Sequence, residues 1–190
     1  MGRIAIYGGS FNPPHLGHLE VVRKGVELLP IDKLIVVPAY KNPLKKGEIA
    51  PPDIRLKWCR QLFSPIPKVE VSDWELKQGR PVYSYETISH FRQLEGDARP
   101  FFIIGSDNLF TLERWKRWRE LLKMVELVVA TRGELPADLV EKYGVKWILP
   151  VEVPISSTEI RGGKWEGVPT QILEEVKGVY GTDSKTGGTD

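Results

Sequence analysis

A stretch rich in glycine and proline and carrying two histidines, residues 8–18 (GGSFNPPHLGH), constrains the fold more than any other part of the chain. A short apolar run with β-strand character, residues 3–7, comes directly before it. After it, apolar residues recur every three or four positions from Leu16 to Leu29, as they do on the buried face of a helix. The chain is therefore predicted to begin with a strand, a tight loop and a helix.

The loop in this unit has the composition of an anion site. Gly8 and Gly9 allow backbone conformations and close approaches that a Cβ would prevent, and exposed N–H groups beside a helix N-terminus attract anions. His15 and His18 are three residues apart, so both imidazoles can lie on one side of the first helical turn. The pair could instead be half of a metal site shared between subunits, or two unrelated surface residues. We favour an anion site because all these features occur in order at one strand–helix junction, and only three histidines exist in the chain.

Strand and helix patterns alternate along the rest of the chain, which predicts an α/β fold. We expect a doubly wound, mostly parallel sheet of about six strands with helices on both faces, and a single domain over residues 1–180. Residues 181–190 are polar and glycine-rich, and they are predicted to form a mobile tail. The predicted strands are residues 3–7, 33–38, 68–71, 99–105, 127–133 and 145–149.

Composition narrows the classes of protein that the chain can belong to. The 190 residues carry a net charge of +2, which argues against a dedicated nucleic-acid binder. The single cysteine excludes an internal disulfide and suits a reducing cytoplasm. No apolar run approaches the roughly 20 residues of a membrane span, and no signal peptide precedes the first strand. We therefore expect a cytoplasmic protein that binds small molecules; its oligomeric state stays open, with a homo-oligomer as one alternative.

Several later segments place polar groups at the ends of predicted elements. A loop with Lys41, Lys45 and Lys46 follows the second strand, and it is either a solvated surface or a source of one phosphate ligand. Asp73 and Glu75 follow the third strand, where structural hydrogen bonding is the simpler interpretation. In the helix that opens at residue 51, the apolar side chains are expected to face inward and the charged ones outward. The inward set is Ile54, Trp58, Cys59 and Leu62, and the outward set is Arg55, Lys57 and Arg60.

A second polar motif, residues 155–161 (ISSTEIR), combines three hydroxyl residues with an arginine. Its hydroxyls and backbone N–H groups suit an anion at a helix start, and the guanidinium of Arg161 fits phosphate oxygens. Ser156 with Glu159 also has the spacing of a capping box, which is the purely structural alternative.

Taken together, the two motifs resemble those of the nucleotidyltransferases related to class I aminoacyl-tRNA synthetases, and in detail the nicotinate (nicotinamide) mononucleotide adenylyltransferases. The resemblance extends over about residues 3–180. It implies a Rossmann-like fold and adenylyl transfer from ATP to nicotinate mononucleotide, with pyrophosphate as the other product. The same resemblance leaves nicotinamide mononucleotide or pantetheine phosphate as alternative acceptors. A regulator that binds ATP without chemistry is the alternative that is not an enzyme.

The resemblance also implies roles for individual residues. His18 would contact the α-phosphate of ATP, and His15 with Arg161 the β- and γ-phosphates. Mg²⁺ would accompany the triphosphate, with no protein carboxylates required as ligands. The remaining ATP contacts would come from Gly8, Gly9, Ser10, Phe11, Gly105 (near the adenosine), Asp107 (at the ribose), Arg132 (near the triphosphate), Ile155, Ser156 and Ser157.

The mononucleotide contacts are implied in the same way. Ser10, Phe11 and Lys45 would hold the mononucleotide, although leucine stands before Lys45 where the family usually has histidine. Thr87 would help to hold the pyridine carboxylate, with helix capping as the alternative role for its hydroxyl. Trp115 would stack on the pyridine ring, and Trp118 is expected to lie in the core.

Overall fold

A computed structural model describes residues 2–41 and 49–181 of the chain. All six strands of the described residues form one parallel sheet in the order β3-β2-β1-β4-β5-β6, so the predicted doubly wound architecture is confirmed. The strands are β1 (Ile4–Gly9), β2 (Lys33–Pro38), β3 (Val69–Val71), β4 (Phe101–Gly105), β5 (Glu126–Thr131) and β6 (Trp147–Pro150).

Helices connect successive strands and cover both faces of the sheet. They are α1 (Leu16–Leu28), α2 (Pro52–Phe63), α3 (Trp74–Lys77), α4 (Ser84–Glu95), α5 (Ser106–Phe110), α6 (Trp118–Met124), α7 (Ala137–Tyr143), α8 (Ser157–Arg161) and α9 (Leu173–Tyr180). Short 3₁₀ helices span Leu112–Arg114 and Trp165–Gly167. Among the described residues, no helix is long and apolar enough to cross a bilayer.

Alternate residues of each strand enter one of two hydrophobic cores. Ala5 and Tyr7 of β1 pack in the core under α1, α2 and α9, whereas Ile4 and Ile6 pack in the core under α4, α6 and α7. This division follows from the two-residue period of a strand, and it explains why the strands read as continuous apolar runs.

The strand order reverses direction between β1 and β4, which lie side by side at the centre of the sheet. In open α/β sheets, ligands bind beyond the carboxyl ends of the strands at such a switch point. The chain leaves β1 through Gly8 and Gly9, and it leaves β4 through Gly105 into α5. The fold therefore places the first motif and residues 105–108 at one edge.

Helix α2 differs from the sequence-based expectation in the burial of one charged side chain. Arg55 of α2 was expected to face solvent, but it is completely buried. Positions 55, 58, 59 and 62 share one face of a helix, and Trp58, Cys59 and Leu62 are buried beside Arg55 as expected. The expectation was wrong because position 55 lies on the buried face of the helix, where four backbone carbonyls pair with the guanidinium.

Candidate active site

The two histidines of the first motif cap α1 with their own side chains. Nδ1 of His15 accepts the N–H of Gly17 at 3.0 Å, and Nδ1 of His18 accepts the N–H of His15 at 3.1 Å. This reciprocal pattern is a capping box, a role that Ser or Thr and Glu usually fill. Because each Nδ1 accepts a hydrogen bond, the ring proton of each histidine is placed on Nε2.

Close packing fixes the orientation of both rings. The imidazole centroids lie 3.8 Å apart at 30°, and the ring of Phe11 meets His18 edge-on at 4.8 Å. A Cβ on residue 17 would lie 2.8 Å from Cε1 of His15, so glycine is required for this close approach. Burial lowers the pKa of His15 to about 4, which keeps the imidazole uncharged at neutral pH.

The second motif is bonded directly to the first. Ser157 donates its hydroxyl to the carbonyl of Pro13 at 2.9 Å, and Nη1 of Arg161 donates to the carbonyl of Asn12 at 2.7 Å. Ser156 is the N-cap of α8, where its Oγ accepts the N–H of Glu159 at 3.1 Å, so the capping role is realised. These bonds hold two segments that are more than 140 residues apart in sequence against each other.

A polar cavity lies between these two motifs, and we define it by its lining. Its walls carry the side chains of His15, His18 and Arg161, and of the described residues Asp107 is the one acidic side chain that lines it. This balance of donors and cations suits a polyanion. The remaining lining residues are Tyr7, Gly8, Gly9, Ser10, Phe11, Asn12, Lys41, Ile49, Gly105, Asn108, Ile155, Ser156, Ser157 and Thr158.

An apolar cavity adjoins the polar cavity across the end of β1. Gly8, Gly9, Ser10 and Asn108 line both cavities, so the backbone at the switch point is their common wall. Aromatic and aliphatic side chains line most of the apolar cavity, and such a lining suits an aromatic ring. They are Ile6, Ala39, Val82, Tyr83, Phe102, Ile104 and the half-buried Trp115, with Ser84, Glu75 and Thr87 as additional lining residues.

The apolar cavity contains one acidic side chain among the described residues. Glu75 of α3 is buried, and its Oε2 accepts the hydroxyl of Thr87 at 2.8 Å. Burial raises the pKa of Glu75 to about 7, the effect of Glu86 adds to the rise, and the Thr87 hydrogen bond opposes it. Thr87 therefore bonds a carboxyl, not the backbone amide that a capping role would use.

Arg55 holds together the loops that border both cavities. Its guanidinium donates to four backbone carbonyls at 2.6–2.9 Å, those of Ser10, Ala39, Tyr40 and Ala50. Ser10 belongs to the first motif, whereas the other three carbonyls flank residues 42–48. One buried cation thus ties the end of the first strand to both ends of the segment that follows β2.

Most of the residues implied by the resemblance are brought together at this edge of the sheet. Gly8 and Gly9 belong to β1 and have no positive φ, so their contribution is a bare backbone facing both cavities rather than a special conformation. Asp107 lies in the first turn of α5 without capping it. Arg132 is exposed beside Glu159 and does not line either cavity, and β5 ends at Thr131 before reaching it.

Lys45 lies outside the described residues, as does Lys46, whereas Lys41 lines the polar cavity. Trp118 is half-buried and packs against Tyr143, with centroids 6.0 Å apart, at the edge of one hydrophobic core. In the described part of the chain, no group of three or more His, Cys, Asp or Glu side chains could hold a metal ion.

Comparisons with known proteins place the chain in a family. Residues 6–163 match the family model described as cytidylyltransferase-like. A protein of a Sulfurovum species, named as a probable nicotinate-nucleotide adenylyltransferase, is 47% identical over 85% of this chain and 84% of its own length. A protein of the same name from a Nitratiruptor species is 41% identical over 94% of this chain and 98% of its own.

Solved structures give the same fold. The nicotinic acid mononucleotide adenylyltransferase of Plasmodium falciparum complexed with NaAD superposes with a TM-score of 0.74 at 20% identity, covering 92% of this chain and 90% of its own. The complex of the same Plasmodium falciparum enzyme with APC gives a TM-score of 0.68.

The fold and the matched family define a nucleotidyltransferase of the cytidylyltransferase-like class. Within that class, the chain belongs to the family of nicotinate-nucleotide adenylyltransferases, at 41–47% identity to the two bacterial relatives above. The resemblance inferred from the two sequence motifs is therefore confirmed.

Proposed function

We propose that this chain transfers the adenylyl group of ATP to nicotinate mononucleotide, releasing pyrophosphate and forming nicotinate adenine dinucleotide. The observation that carries the proposal is the pair of cavities with one common wall. A polar cavity lined by histidine and arginine suits a triphosphate, and an apolar cavity lined by Trp115 suits a pyridine ring. Two nucleotides bound in this way would meet at residues 8–10.

The reaction is an in-line displacement. A phosphate oxygen of the mononucleotide forms a bond to the α-phosphorus of ATP while the bond from that phosphorus to the bridging oxygen of the β-phosphate breaks. A mononucleotide phosphate is already ionised near pH 7, so the attacking oxygen needs no base and no covalent protein intermediate. Catalysis then consists of positioning and stabilisation of charge.

The side chains of this chain supply that stabilisation from fixed positions. Nε2–H of His18 donates to an oxygen of the α-phosphate, because Nδ1 of the same ring is held by the backbone N–H of His15. His15 and Arg161 hold the β- and γ-phosphates as the pyrophosphate leaves. Ser10 and a lysine of the segment after β2 contact the mononucleotide phosphate, with Lys41, Lys45 and Lys46 as the candidates.

Magnesium fits this site as a companion of the triphosphate. Mg²⁺ prefers phosphate and water oxygens, and Asp107 is the one carboxylate on the described wall of the polar cavity. The ion would be held mainly by phosphate oxygens and would neutralise part of the charge on the leaving pyrophosphate. A cytoplasmic location stays a prediction from the single cysteine. The oligomeric state stays open, with a homo-oligomer as one alternative.

The test is pyrophosphate release from MgATP with nicotinate mononucleotide and with nicotinamide mononucleotide in separate assays. In assays at pH 6, we expect release with the acid and much less with the amide. Equal release with both mononucleotides would support adenylyl transfer and contradict the preference for the acid. Release with neither, followed by release with pantetheine phosphate, would refute the proposed acceptor. ATP binding without release from any acceptor would support a regulator.

A further inference from the structure

A carboxyl–hydroxyl pair forms part of the wall of the apolar cavity. Glu75 reaches this wall from α3 and Thr87 from α4, and both side chains are at most 7% exposed. The hydroxyl of Thr87 lies 2.8 Å from Oε2 of Glu75. A buried carboxyl is costly unless it is neutral or well paired, and one hydroxyl is weak pairing for an ionised carboxylate. A role in ligand binding would account for this buried and weakly paired carboxyl in a cavity wall.

The protonation state of Glu75 decides what Thr87 can offer to a ligand. A threonine hydroxyl has one proton and two lone pairs. An ionised Glu75 can only accept, so it takes the proton of Thr87 and leaves lone pairs of the hydroxyl facing the cavity. A protonated Glu75 can instead donate to Oγ1 of Thr87, which frees the hydroxyl proton for a ligand.

We propose that Glu75 is a specificity-determining residue, which sets through Thr87 whether the cavity accepts a carboxylate or a carboxamide on the pyridine ring. This inference rests on the proposed function. With a proton on Glu75, Thr87 donates to the carboxylate of nicotinate mononucleotide. Without that proton, the cavity repels the carboxylate and accepts the N–H of a carboxamide. The same two side chains thus favour the acid at low pH and the amide at high pH.

Most charged groups near Glu75 are already paired with one another, so Glu75 is the carboxyl expected to change its protonation state in the apolar cavity. From α4, Glu86 raises its pKa, and Arg80 forms an ion pair with Glu86 at 2.9 Å. Lys116, which precedes α6, acts on Glu86 rather than on Glu75. His90 stacks on Trp74 at 4.2 Å between ring centroids. On the side of α3, Asp73 is already paired with Arg60 and Lys77.

Burial raises the pKa of Glu75 to about 7, so the change of state falls within the range of an ordinary assay. The measurement is kcat/KM for the acid and for the amide mononucleotide from pH 6 to pH 9. This parameter reports ionisations of the free enzyme, and the ratio of the two values cancels ionisations of ATP, of the substrate phosphates and of His15. We expect the ratio of acid to amide to fall by up to about tenfold per pH unit above neutrality.

Variants test whether the change of the acid-to-amide ratio with pH, here called the slope, comes from this pair. Glu75→Gln cannot ionise and Thr87→Val has no hydroxyl, so each is expected to give a ratio that does not change with pH. Thr87→Ser keeps the hydroxyl and should keep the slope. Asp73→Asn is the matched control, because it removes a half-buried carboxylate two residues away, which pairs with Arg60 and Lys77 rather than with Thr87, and should also keep the slope.

The outcomes separate this inference from the proposed function. Turnover with a ratio that is flat in the wild-type enzyme would overturn the role of Glu75 and leave the adenylyl transfer intact. A slope that persists in Glu75→Gln would also overturn it, by assigning the ionisation to another group. Absence of turnover with both mononucleotides would overturn the proposed function, and this inference with it. A slope that is lost in Glu75→Gln and Thr87→Val and kept in both controls supports the switch.

Discussion

Replacing Arg55 with methionine tests whether one buried cation holds the loops of both cavities in place. The guanidinium is completely buried and donates to four carbonyls at 2.6–2.9 Å. Methionine fills much of the space of the arginine stem but has no donor. The substitution therefore leaves the carbonyls of Ser10, Ala39, Tyr40 and Ala50 without their partner.

The size of the effect follows from these bonds. Hydrogen bonds to a charged group contribute about 1.5–3 kcal/mol each, so the four sum to a gross value of roughly 6–12 kcal/mol. Removing the buried charge also removes its desolvation cost, and water can reach the carbonyls of the half-buried Ser10, Ala39 and Tyr40, so the net loss is smaller. We expect a loss of about 3–5 kcal/mol, as for other buried charged networks that lose one partner. At about 2–4 °C per kcal/mol, Tm should fall by roughly 10 °C.

The assay is thermal or urea unfolding of Arg55→Met beside Arg60→Met. Arg60 lies on the same helix but is exposed, with one ion pair to Asp73 at 3.6 Å. An exposed pair of this kind contributes little, so Arg60→Met should stay within about 1 kcal/mol of the wild type. Equal losses in both variants, or a loss below about 1 kcal/mol in Arg55→Met, would refute the idea that the guanidinium holds these loops.

Three further predictions concern the cavities. His18→Ala should lower kcat by at least about 100-fold with a small change in ATP affinity, as expected for one lost transition-state donor, and His18→Gln should recover part of the loss; near-normal kcat in His18→Ala would contradict the role. Gly17→Ala places a Cβ 2.8 Å from the ring of His15, so kcat should fall. Expressed as a free energy, this loss should exceed the loss in the free energy of unfolding, which urea unfolding measures. Trp115→Ala should raise KM for the mononucleotide by about tenfold, whereas Trp118→Ala should lower stability and leave KM unchanged, and equal KM values in the two variants would remove Trp115 from the ring-binding wall.

The sequence was sufficient to predict the architecture because its apolar periods are strong. Strand β2 is predicted and observed over the same residues, 33–38, since an apolar run ended by proline leaves little choice of boundary. The first motif was equally informative, because His15 and His18 at a helix start have few arrangements open to them. The two histidine rings do lie together, at 3.8 Å. Their use as a capping box, however, depends on ring rotamers that spacing does not specify.

The features that the sequence did not reveal depend on contacts between distant segments. Arg55 carried a local signal, the helical spacing shared with Trp58 and Leu62, but its partners are carbonyls of two loops, one after β1 and one after β2. Glu75 carried no such signal, since its burial results from the packing of α3 beside α4. Chemistry alone makes a surface position the default for both residue types. Tertiary structure overrides that default here, at the cavities of the proposed site.

Two buried titrating groups give a final prediction about stability, in which their effects oppose each other. The folded pKa of His15 is lowered from 6.5 to about 4, so between these values the unfolded chain binds one more proton and stability rises with pH. The folded pKa of Glu75 is raised from 4.5 to about 7, so between those values the folded chain binds one more proton and stability falls with pH. Each shift corresponds to about 3 kcal/mol at about 1.4 kcal/mol per pH unit.

The two slopes cancel between about pH 4.5 and 6.5, and single variants should separate them. In urea unfolding, the stability of the wild type relative to Glu75→Gln should fall by about 3 kcal/mol from pH 4.5 to 7, because only the wild type loses the favourable proton. Relative to His15→Asn, which keeps a side-chain acceptor for the Gly17 N–H, the wild type should gain a similar amount from pH 4 to 6.5. Parallel curves for the wild type and both variants would mean that neither group changes its proton affinity on folding, and the uncharged His15 and the Glu75 switch would lose their electrostatic basis together.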